Sequence, residues 1–350
     1  MKFVGIDLHK QTIVLCVVGQ DRKVLERQTF HCADVERIRA YFAQLGTFRA
    51  VVEATASYEW LVDLIEPLAE RVVLAHPGKL RVIAESVRKN DKLDAQVLAE
   101  FLALDMIPLA YQPTRREREH RVLVRHRVLL RRECTRLKCR IRRVLSNYNA
   151  DRKSLFTKDG WAYLQEVKLS ASDRFALDQW CAALLAAEKR VRDAQQRLRK
   201  FAAEGPSREQ EARELLRSIP GVGEVVAEVV LAELGDVSRF GSLKKVYAYS
   251  GLVPRMRASA GKSKDLGITK QGPRLLRWIL VEAGWQCIRY SLRWENIYQR
   301  LKKRRGSKRA IVAVARRLLG VMVALLRSGE PYRMAKQEKP QTPLADETTV

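Results

Sequence analysis

Residues 3–18 read FVGIDLHKQTIVLCVV, and this stretch decides the fold of the N-terminal part of the chain. FVGID and TIVLCVV are short apolar runs rich in β-branched residues, separated by the polar LHKQ. Such runs predict two successive β-strands. The first of them carries a carboxylate, Asp7, at its end.

Strand-like and helix-like patterns alternate from there to residue 113. KVLERQTF predicts a third strand, and RAVVEAT and RVVLAHP predict two more. Helical patterns begin near Asp34 and Tyr58 and cover KNDKLDAQVLAEFLAL. The order β-β-β-α-β-α-β-α is that of the RNase H fold, so we predict an α/β RNase H-like domain over residues 1–113.

The remainder of the chain has helical patterns. Residues 114–143 contain thirteen Lys or Arg and three Glu, with apolar residues at helical spacing, and predict one long basic helix. A second helical stretch over 173–203 predicts an antiparallel partner for it, which gives a coiled-coil region over 114–204. We predict a mostly helical C-terminal domain over 208–327 and a disordered tail over 328–350.

The composition indicates a polyanionic partner. The chain has 350 residues and a formal net charge of +26, which points to nucleic acid. A membrane is not expected, because there is no signal peptide and the most apolar stretch, 311–326, is interrupted by Arg316 and Arg317 and predicts a buried helix. Six cysteines without CxxC pairs indicate neither a zinc ribbon nor a disulfide framework and fit a reducing cytoplasm.

Four carboxylates predict a metal site. Asp7 and Glu53 lie in predicted strands, and Asp91 and Asp94 are three residues apart on a predicted helix, where they share one face. Clustered carboxylates raise each other's pKa unless a cation neutralises them, and Mg²⁺ prefers such oxygen ligands. Each acid also has a purely structural interpretation, as a strand end, an ion-pair partner or a first-turn helix residue. No chemistry is assigned to His9.

The C-terminal domain contains two further motifs. Gly221 and Gly223 in IPGVG resemble a helix-hairpin-helix, in which glycines let a phosphate approach the backbone, although a plain turn between helices also favours glycine. A loop rich in Gly, Ser and Lys then leads into a helix that starts near Pro273. Its predicted phosphate contacts include Arg255, Arg257, Lys262, Lys264, Lys270 and Arg274, and its candidate nucleophiles are Ser250, Ser259 and Ser263.

Taken together, these motifs resemble the DEDD transposases and recombinases of bacterial insertion sequences that work with a bridge RNA, a family that includes the Piv DNA invertase. The resemblance runs from GIDLHK through VVEAT, KNDKLDA, IPGVG and FGSLKKVYAYSGLVP to ITKQGPRLLRWIL, nearly the whole chain.

The resemblance implies a composite active site. Asp7, Glu53, Asp91 and Asp94 would form a RuvC-like Mg²⁺ site, and Ser259 of RASAGK would form a transient 5′-phosphoserine link to DNA before strand exchange. It also implies a non-coding bridge RNA as partner, a dimer that assembles into a tetramer through the coiled coil, and a location at the nucleoid in the bacterial cytoplasm.

Three other functions remain open from the sequence. A RuvC-like Holliday-junction resolvase would hydrolyse DNA with the four carboxylates alone, and an architectural nucleic-acid-binding protein would use the carboxylates only structurally. An actin-like sugar kinase also begins with GID and a hydrophobic hairpin, but a second phosphate-binding glycine-rich loop is missing from the sequence and the net charge argues against it.

Overall fold

The structure is a computed structural model that describes residues 1–54, 57–83, 91–259 and 262–333. Within them it gives the backbone but not the side chains of residues 81–83, 91–93, 256–259 and 262–265. The chain folds into two compact units, one over Met1–Pro113 and one that begins at Thr114. Each unit has hydrophobic cores of its own.

A five-stranded sheet with the strand order β3-β2-β1-β4-β5 forms the centre of the first unit. Its strands are β1 (Lys2–Leu8), β2 (Thr12–Val18), β3 (Val24–His31), β4 (Phe48–Glu53) and β5 (Arg71–Ala75). Its helices are α1 (Val35–Gln44), α2 (Glu59–Ile65), α3 (Pro77–Ile83) and α4 (Asp91–Ala103). Since β1 pairs antiparallel with β2 and parallel with β4, the mixed α/β sheet predicted from the sequence is confirmed.

Different helices cover the two faces of this sheet, because successive side chains of a strand point to opposite faces. Val4 and Ile6 of β1 belong to a core that also contains Ile38 of α1 and Leu61 of α2. Phe3 points the other way and belongs to a second core, which includes the buried residues of α4. The central strand β1 is therefore buried on both sides.

Gly5 allows α4 to pack directly on the backbone of β1. A Cβ atom at this position would lie 2.0 Å from the carbonyl oxygen of Ala95 and 2.5 Å from the amide nitrogen of Ala99. Both atoms belong to the helix backbone, which has no flexible end that could move aside. The contact between α4 and β1 therefore requires glycine.

The second unit consists, in the residues that the structure describes, of helices and one β-hairpin. The helices are α5 (Arg115–Ser146), α6 (Lys158–Glu166), α7 (Ala171–Ala203), α8 (Ser207–Arg217), α9 (Glu224–Leu234), α10 (Leu243–Ser250), α11 (Arg274–Tyr290), α12 (Leu292–Arg305) and α13 (Ser307–Ser328). The hairpin pairs β6 (Pro254–Ser259) with β7 (Lys262–Ile268). The mostly helical character is confirmed, but the hairpin replaces part of the predicted loop, because its strands are defined by pairing with each other and not by a local apolar pattern.

The long basic helix predicted from the sequence is α5, and it packs against α7. A capping box starts it, in which the side chain of Thr114 accepts a hydrogen bond from the Glu117 amide and the Glu117 side chain accepts one from the Thr114 amide. Arg127 bonds to Gln195, whereas further along α5 a salt bridge of 3.2 Å joins Lys138 to Glu188 of α7. The residue numbers of the contacts on α7 decrease as those on α5 increase, so the two helices are antiparallel.

A buried carboxylate joins α5, α8 and α9. Glu228 of α9 is only 3% exposed; His120 Nε2 of α5 lies 2.6 Å from its Oε2, and Arg213 Nε of α8 donates to its Oε1 at 2.7 Å. Burial raises the pKa of Glu228, but the hydrogen bonds with His120 and Arg213 outweigh burial, and the pKa lies below its ordinary value. The ionised carboxylate is therefore the form that this core holds.

The first residues of the predicted disordered tail are ordered, and the rest of that prediction, residues 334–350, lies outside the described residues. Ser328, the first residue of the predicted disordered tail, is the last residue of α13, and Tyr332 is buried with its amide donating to Ser218 Oγ at 2.8 Å. The prediction was wrong for residues 328–333, because an aromatic side chain that fills a core site orders a polar segment around it.

The apolar stretch 311–326 lies within α13. Ile311, Val314, Leu318 and Met322 of this helix are buried in the core of the second unit, so the predicted buried helix is confirmed. Over the residues described, the structure contains no helix with the length and apolar character needed to cross a membrane.

We expect Gly5→Ala to lower the thermal unfolding temperature of the first unit, because the new methyl group would force α4 away from β1. Overpacking a core site costs about 1–3 kcal/mol. Gly78→Ala is the matched control, since a Cβ there meets no atom closer than a side-chain carbon of His76 at 3.5 Å, and alanine favours helix α3. Calorimetry of both full-length variants tests this; equal unfolding temperatures for wild type and Gly5→Ala would contradict the packing.

We expect Glu228→Gln to reduce the free energy of unfolding by about 3–5 kcal/mol at pH 7, because one partner of a buried charged network is removed. Folding lowers the pKa of Glu228, so the ionised carboxylate stabilises the folded state. This stabilisation is complete above the pKa of an unfolded glutamate, about 4.3, and is lost as the pH falls through the lower pKa of the folded state. Denaturant unfolding should therefore show a smaller difference in the free energy of unfolding between Glu228→Gln and wild type at pH 3.5 than at pH 7.

Glu119→Gln is the control for this comparison. Glu119 is 52% exposed and pairs with Arg115 one turn away on α5 at 3.1 Å, so its loss should change stability little at either pH. A Glu228→Gln effect that is equally large at both pH values would contradict the assignment of the ionised carboxylate.

Candidate functional site

Two of the four carboxylates predicted to bind metal lie together near the ends of β1 and β4. These strands are parallel neighbours, and their register pairs Ile6 with Val52. Asp7 and Glu53 are the next residues, so they occupy adjacent positions at the same end of the sheet. Asp7 is two residues after Gly5 and therefore lies on the face that α4 covers.

The other two predicted carboxylates lie in the first turn of α4. Asp91 is the first residue of the helix, and Asp94 has an exposed side chain. They precede Ala95 and Leu98, which are buried against the sheet, by one helical turn each. The side chain of Asp91 lies outside the part of the chain that the structure describes.

His9 is a neighbour of this edge for which the sequence indicated no role. Its Nε2 lies 3.2 Å from Oδ2 of Asp7, whose side chain is 16% exposed. The spacing of two residues was the available signal, because residues i and i+2 of an extended segment share a face. Within the described side chains, which exclude that of Asp91, no three His, Cys, Asp or Glu have the spacing of a metal site.

The three candidate serines have different environments. Ser259 is the last residue of β6 and pairs with Lys262, the first residue of β7, so it lies beside the tip of the hairpin. Ser263 follows on β7. Ser250, in contrast, is fully buried at the end of α10, where its hydroxyl donates to a carbonyl of the same helix at 2.8 Å. Burial therefore makes Ser250 unsuitable as a nucleophile toward DNA.

Two glycines allow the two ends of this hairpin to approach each other. Gly251 and Gly272 have φ values of 68° and 71°, in the left-handed region. A Cβ atom on Gly251 would lie 2.1 Å from the carbonyl oxygen of Gln271, and one on Gly272 would lie 1.8 Å from that of Tyr249. The stem of the hairpin thus excludes side chains at both positions.

Arg277 of α11 joins both sides of the same stem. Its Nη1 donates to the carbonyl oxygens of Ser250 at 3.3 Å, Gln271 at 2.5 Å and Gly272 at 3.0 Å. Burial and, more weakly, the charge of Arg274 lower the pKa of Arg277. The cation therefore anchors the end of α10 and the approach to α11, and the hairpin starts from a defined position.

The basic residues predicted to contact phosphate surround this hairpin. Arg255 on β6, Lys270 after β7 and Arg274 at the start of α11 are exposed, and Lys262 begins β7 with a side chain that is not described. The exposed cations are available to a polyanion.

Gly221 and Gly223 lie in the turn between α8 and α9. A Cβ atom on Gly221, whose φ is 85°, would lie 2.7 Å from the amide nitrogen of Cys287 in α11. Gly223 precedes α9 without a side-chain cap. Packing against α11 alone accounts for Gly221, which agrees with the plain turn weighed in the sequence, and the phosphate contact of both glycines stays a prediction.

Two family models match the chain. Residues 4–150 match the DEDD transposases of IS110, described as "Transposase", and residues 213–299 match the "Transposase IS116/IS110/IS902 family". The first match contains all four predicted carboxylates, and the second contains the hairpin with Ser259.

Individual relatives are similar over nearly their whole length. A transposase for insertion sequence element IS1111A from Coxiella burnetii is 27% identical over 95% of this chain and 92% of its own. A probable family 20 transposase from Pseudomonas aeruginosa is 26% identical over 94% and 98%. A pilin gene-inverting protein from Moraxella bovis is 24% identical over 94% and 97%.

Sequences in both units therefore match one group of proteins, and the relatives include transposases as well as a gene-inverting protein. The chain belongs to the DEDD transposase family of IS110-type insertion sequences, whose members are DNA transposases and recombinases.

Proposed function

We propose that this protein cleaves and rejoins insertion-sequence DNA in an Mg²⁺-dependent reaction that uses Asp7, Glu53, Asp91, Asp94 and Ser259. The observation that carries the proposal is the placement of Asp7 and Glu53 at adjacent positions of two parallel strands, on the face covered by α4. Two carboxylates held side by side in this way repel each other unless a cation neutralises their charge.

The donor chemistry of this edge fits Mg²⁺. Asp7 and Glu53 offer carboxylate oxygens, and Asp94 is exposed one turn into the helix that covers the same face. Mg²⁺ prefers such ligands and usually binds through a few carboxylates together with phosphate oxygens. Bound there, Mg²⁺ would supply charge neutralisation at a scissile phosphate.

Ser259 is proposed as the nucleophile. Its oxygen attacks the phosphorus of a DNA phosphodiester and loses its proton, while the bond from phosphorus to the 3′ oxygen breaks and that oxygen leaves as a hydroxyl. The product is a 5′-phosphoserine link, which is itself a phosphodiester, so no phosphodiester bond is lost in this step. Attack by a different 3′ hydroxyl then reverses the step and joins new strands without an external energy source.

The positive charge of the chain is an argument for two nucleic-acid partners. The net charge is +26, and α5 alone has thirteen Lys and Arg. We propose that DNA and a non-coding bridge RNA share this charge, with the RNA providing sequence recognition by base pairing. We further propose that the α5–α7 pair forms a coiled coil that assembles protomers, as a dimer that becomes a tetramer.

We expect wild-type protein with Mg²⁺, element-end DNA and flanking non-coding RNA to form a covalent protein–DNA adduct that denaturing electrophoresis detects. Ser259→Ala should abolish the adduct because the attacking oxygen is missing. Glu53→Gln should reduce its rate by at least about a hundredfold, because a charge that holds Mg²⁺ is removed.

Ser263→Ala and Glu70→Gln are matched controls for this experiment. Ser263 is on the same hairpin, and Glu70 precedes β5 at the opposite end of the sheet, where it pairs with Arg49 at 2.6 Å. Both variants should form the adduct at the wild-type rate. Adduct-free cleavage that survives Ser259→Ala but not Glu53→Gln would instead assign the protein as a metal-dependent nuclease of the resolvase type.

We expect the adduct to depend on RNA from the non-coding flank of the element. Omission of the RNA, or its replacement by a scrambled RNA of equal length, should reduce adduct formation to background, because base pairing selects the DNA. Equal adduct yields with native, scrambled and no RNA would show that the protein recognises DNA without a guide.

A further inference from the structure

The exposed side of α11 has an unusual composition. The side chains that this helix presents to solvent follow helical spacing and form one row, which we call the α11 stripe: Arg274, Trp278, Glu282, Trp285 and Arg289. Its opposite side is buried in the core of the second unit. The stripe thus begins directly after the stem of the β6–β7 hairpin and extends away from it.

The two tryptophans are exposed although each could contribute strongly to a core. Trp278 and Trp285 are 41% and 42% exposed, and they are seven residues apart, about 10 Å along the helix axis. Tryptophans in a surface row of this kind are typical of binding sites, since burying an aromatic ring is strongly favourable.

Neighbouring side chains hold both rings in place. The guanidinium of Arg132 from α5 lies 5.6 Å from the ring centre of Trp278. The ring of Trp285 contacts that of Tyr298 on α12, edge to face, with centres 5.2 Å apart. Rings that are already fixed lose little conformational entropy when a ligand stacks on them.

The surface continues from Trp285 into a strongly basic segment. Lys302 lies 6.0 Å from the ring centre of Tyr298, and residues 302–309 are all exposed. Six of these eight residues are Lys or Arg, and the sequence contains no Asp or Glu from residue 296 to residue 329. This charge is complementary to phosphate and unsuited to an apolar protein partner.

Glu282 is the acidic member of the stripe, between the two tryptophans. A carboxylate at this position repels a phosphate but not a neutral base. The arrangement therefore suits a strand whose bases lie over the middle of the stripe and whose phosphates lie at its basic ends, near Arg274 and Arg289. Double-stranded nucleic acid presents phosphates and not base faces, whereas an unpaired strand can offer both.

We propose that the α11 stripe binds an unpaired strand of nucleic acid, with bases stacked on Trp278 and Trp285 and phosphates contacted by Arg274, Arg289 and the basic end of α12. The proposal rests on the proposed function only in taking nucleic acid as the partner. It adds a site that would hold a single strand beside the Ser259 hairpin.

The test is equilibrium binding of fluorescent oligothymidylate and of an abasic oligonucleotide of equal length, in EDTA so that no cleavage occurs. We expect Trp278→Leu and Trp285→Leu each to weaken binding of oligothymidylate by about 5- to 150-fold, the usual contribution of one stacked base. Binding of the abasic strand should not change. The affinity for oligouridylate of the same length, compared with that for oligothymidylate, shows whether RNA or DNA is the preferred strand.

Conservative variants separate stacking from folding. Trp278→Phe and Trp285→Phe retain an aromatic face and should recover most of the oligothymidylate affinity. Phe175→Leu on α7 is the control, because this aromatic residue is 68% exposed but lies outside the stripe, and its loss should leave binding unchanged. Circular dichroism of the leucine variants checks that the second unit is folded.

Two results would overturn the proposal. Leucine variants that bind both oligonucleotides as wild type does would show that the bases do not stack there. A change of sedimentation velocity in the leucine variants, with unchanged oligothymidylate affinity, would make the stripe a contact between protein chains. Neither result depends on the carboxylates or on Ser259, so a failed cleavage assay and a failed binding assay remain distinguishable.

Discussion

The backbone contact between α4 and β1 is the constraint on which the first unit depends. Because Gly5 has no side chain, the helix lies against the strand at a distance that no other residue permits. The same contact sets where the first turn of α4 lies, and so where Asp91 and Asp94 begin. A packing requirement inside the sheet thereby governs the position of the helix that carries them.

The second unit is organised by charges that α5 shares with the helices around it. Arg125 of α5 donates to the carboxylate of Glu233 on α9, in addition to the contact of His120 with Glu228. Buried carboxylates are costly unless they are paired and hydrogen-bonded, so each of them specifies which helix lies opposite. Much of the basic character of α5 therefore serves the fold, so that only part of it remains for the proposed nucleic-acid contacts.

The hairpin that carries Ser259 has a defined stem. Arg277 and the close approach of Gly251 to Gln271 hold the stem in one conformation. The nucleophile that we propose at Ser259 would need accurate positioning for efficient reaction, and a defined stem favours this. Helix α11, which leaves this stem, presents two tryptophan rings along its exposed side.

Local patterns in the sequence determined the types of the main elements. Strand alternation predicted the sheet and placed Asp7 and Glu53 in strands, and helical spacing predicted α5 and α7 and the burial of α13, because these patterns reflect one element facing one core. The tertiary structure decided what depends on contacts between distant residues: the β6–β7 hairpin, the burial of Ser250 and Tyr332, and the packing of Gly221 on α11. Such contacts leave no periodic signal along the chain, since the partner that buries a residue lies far away in sequence.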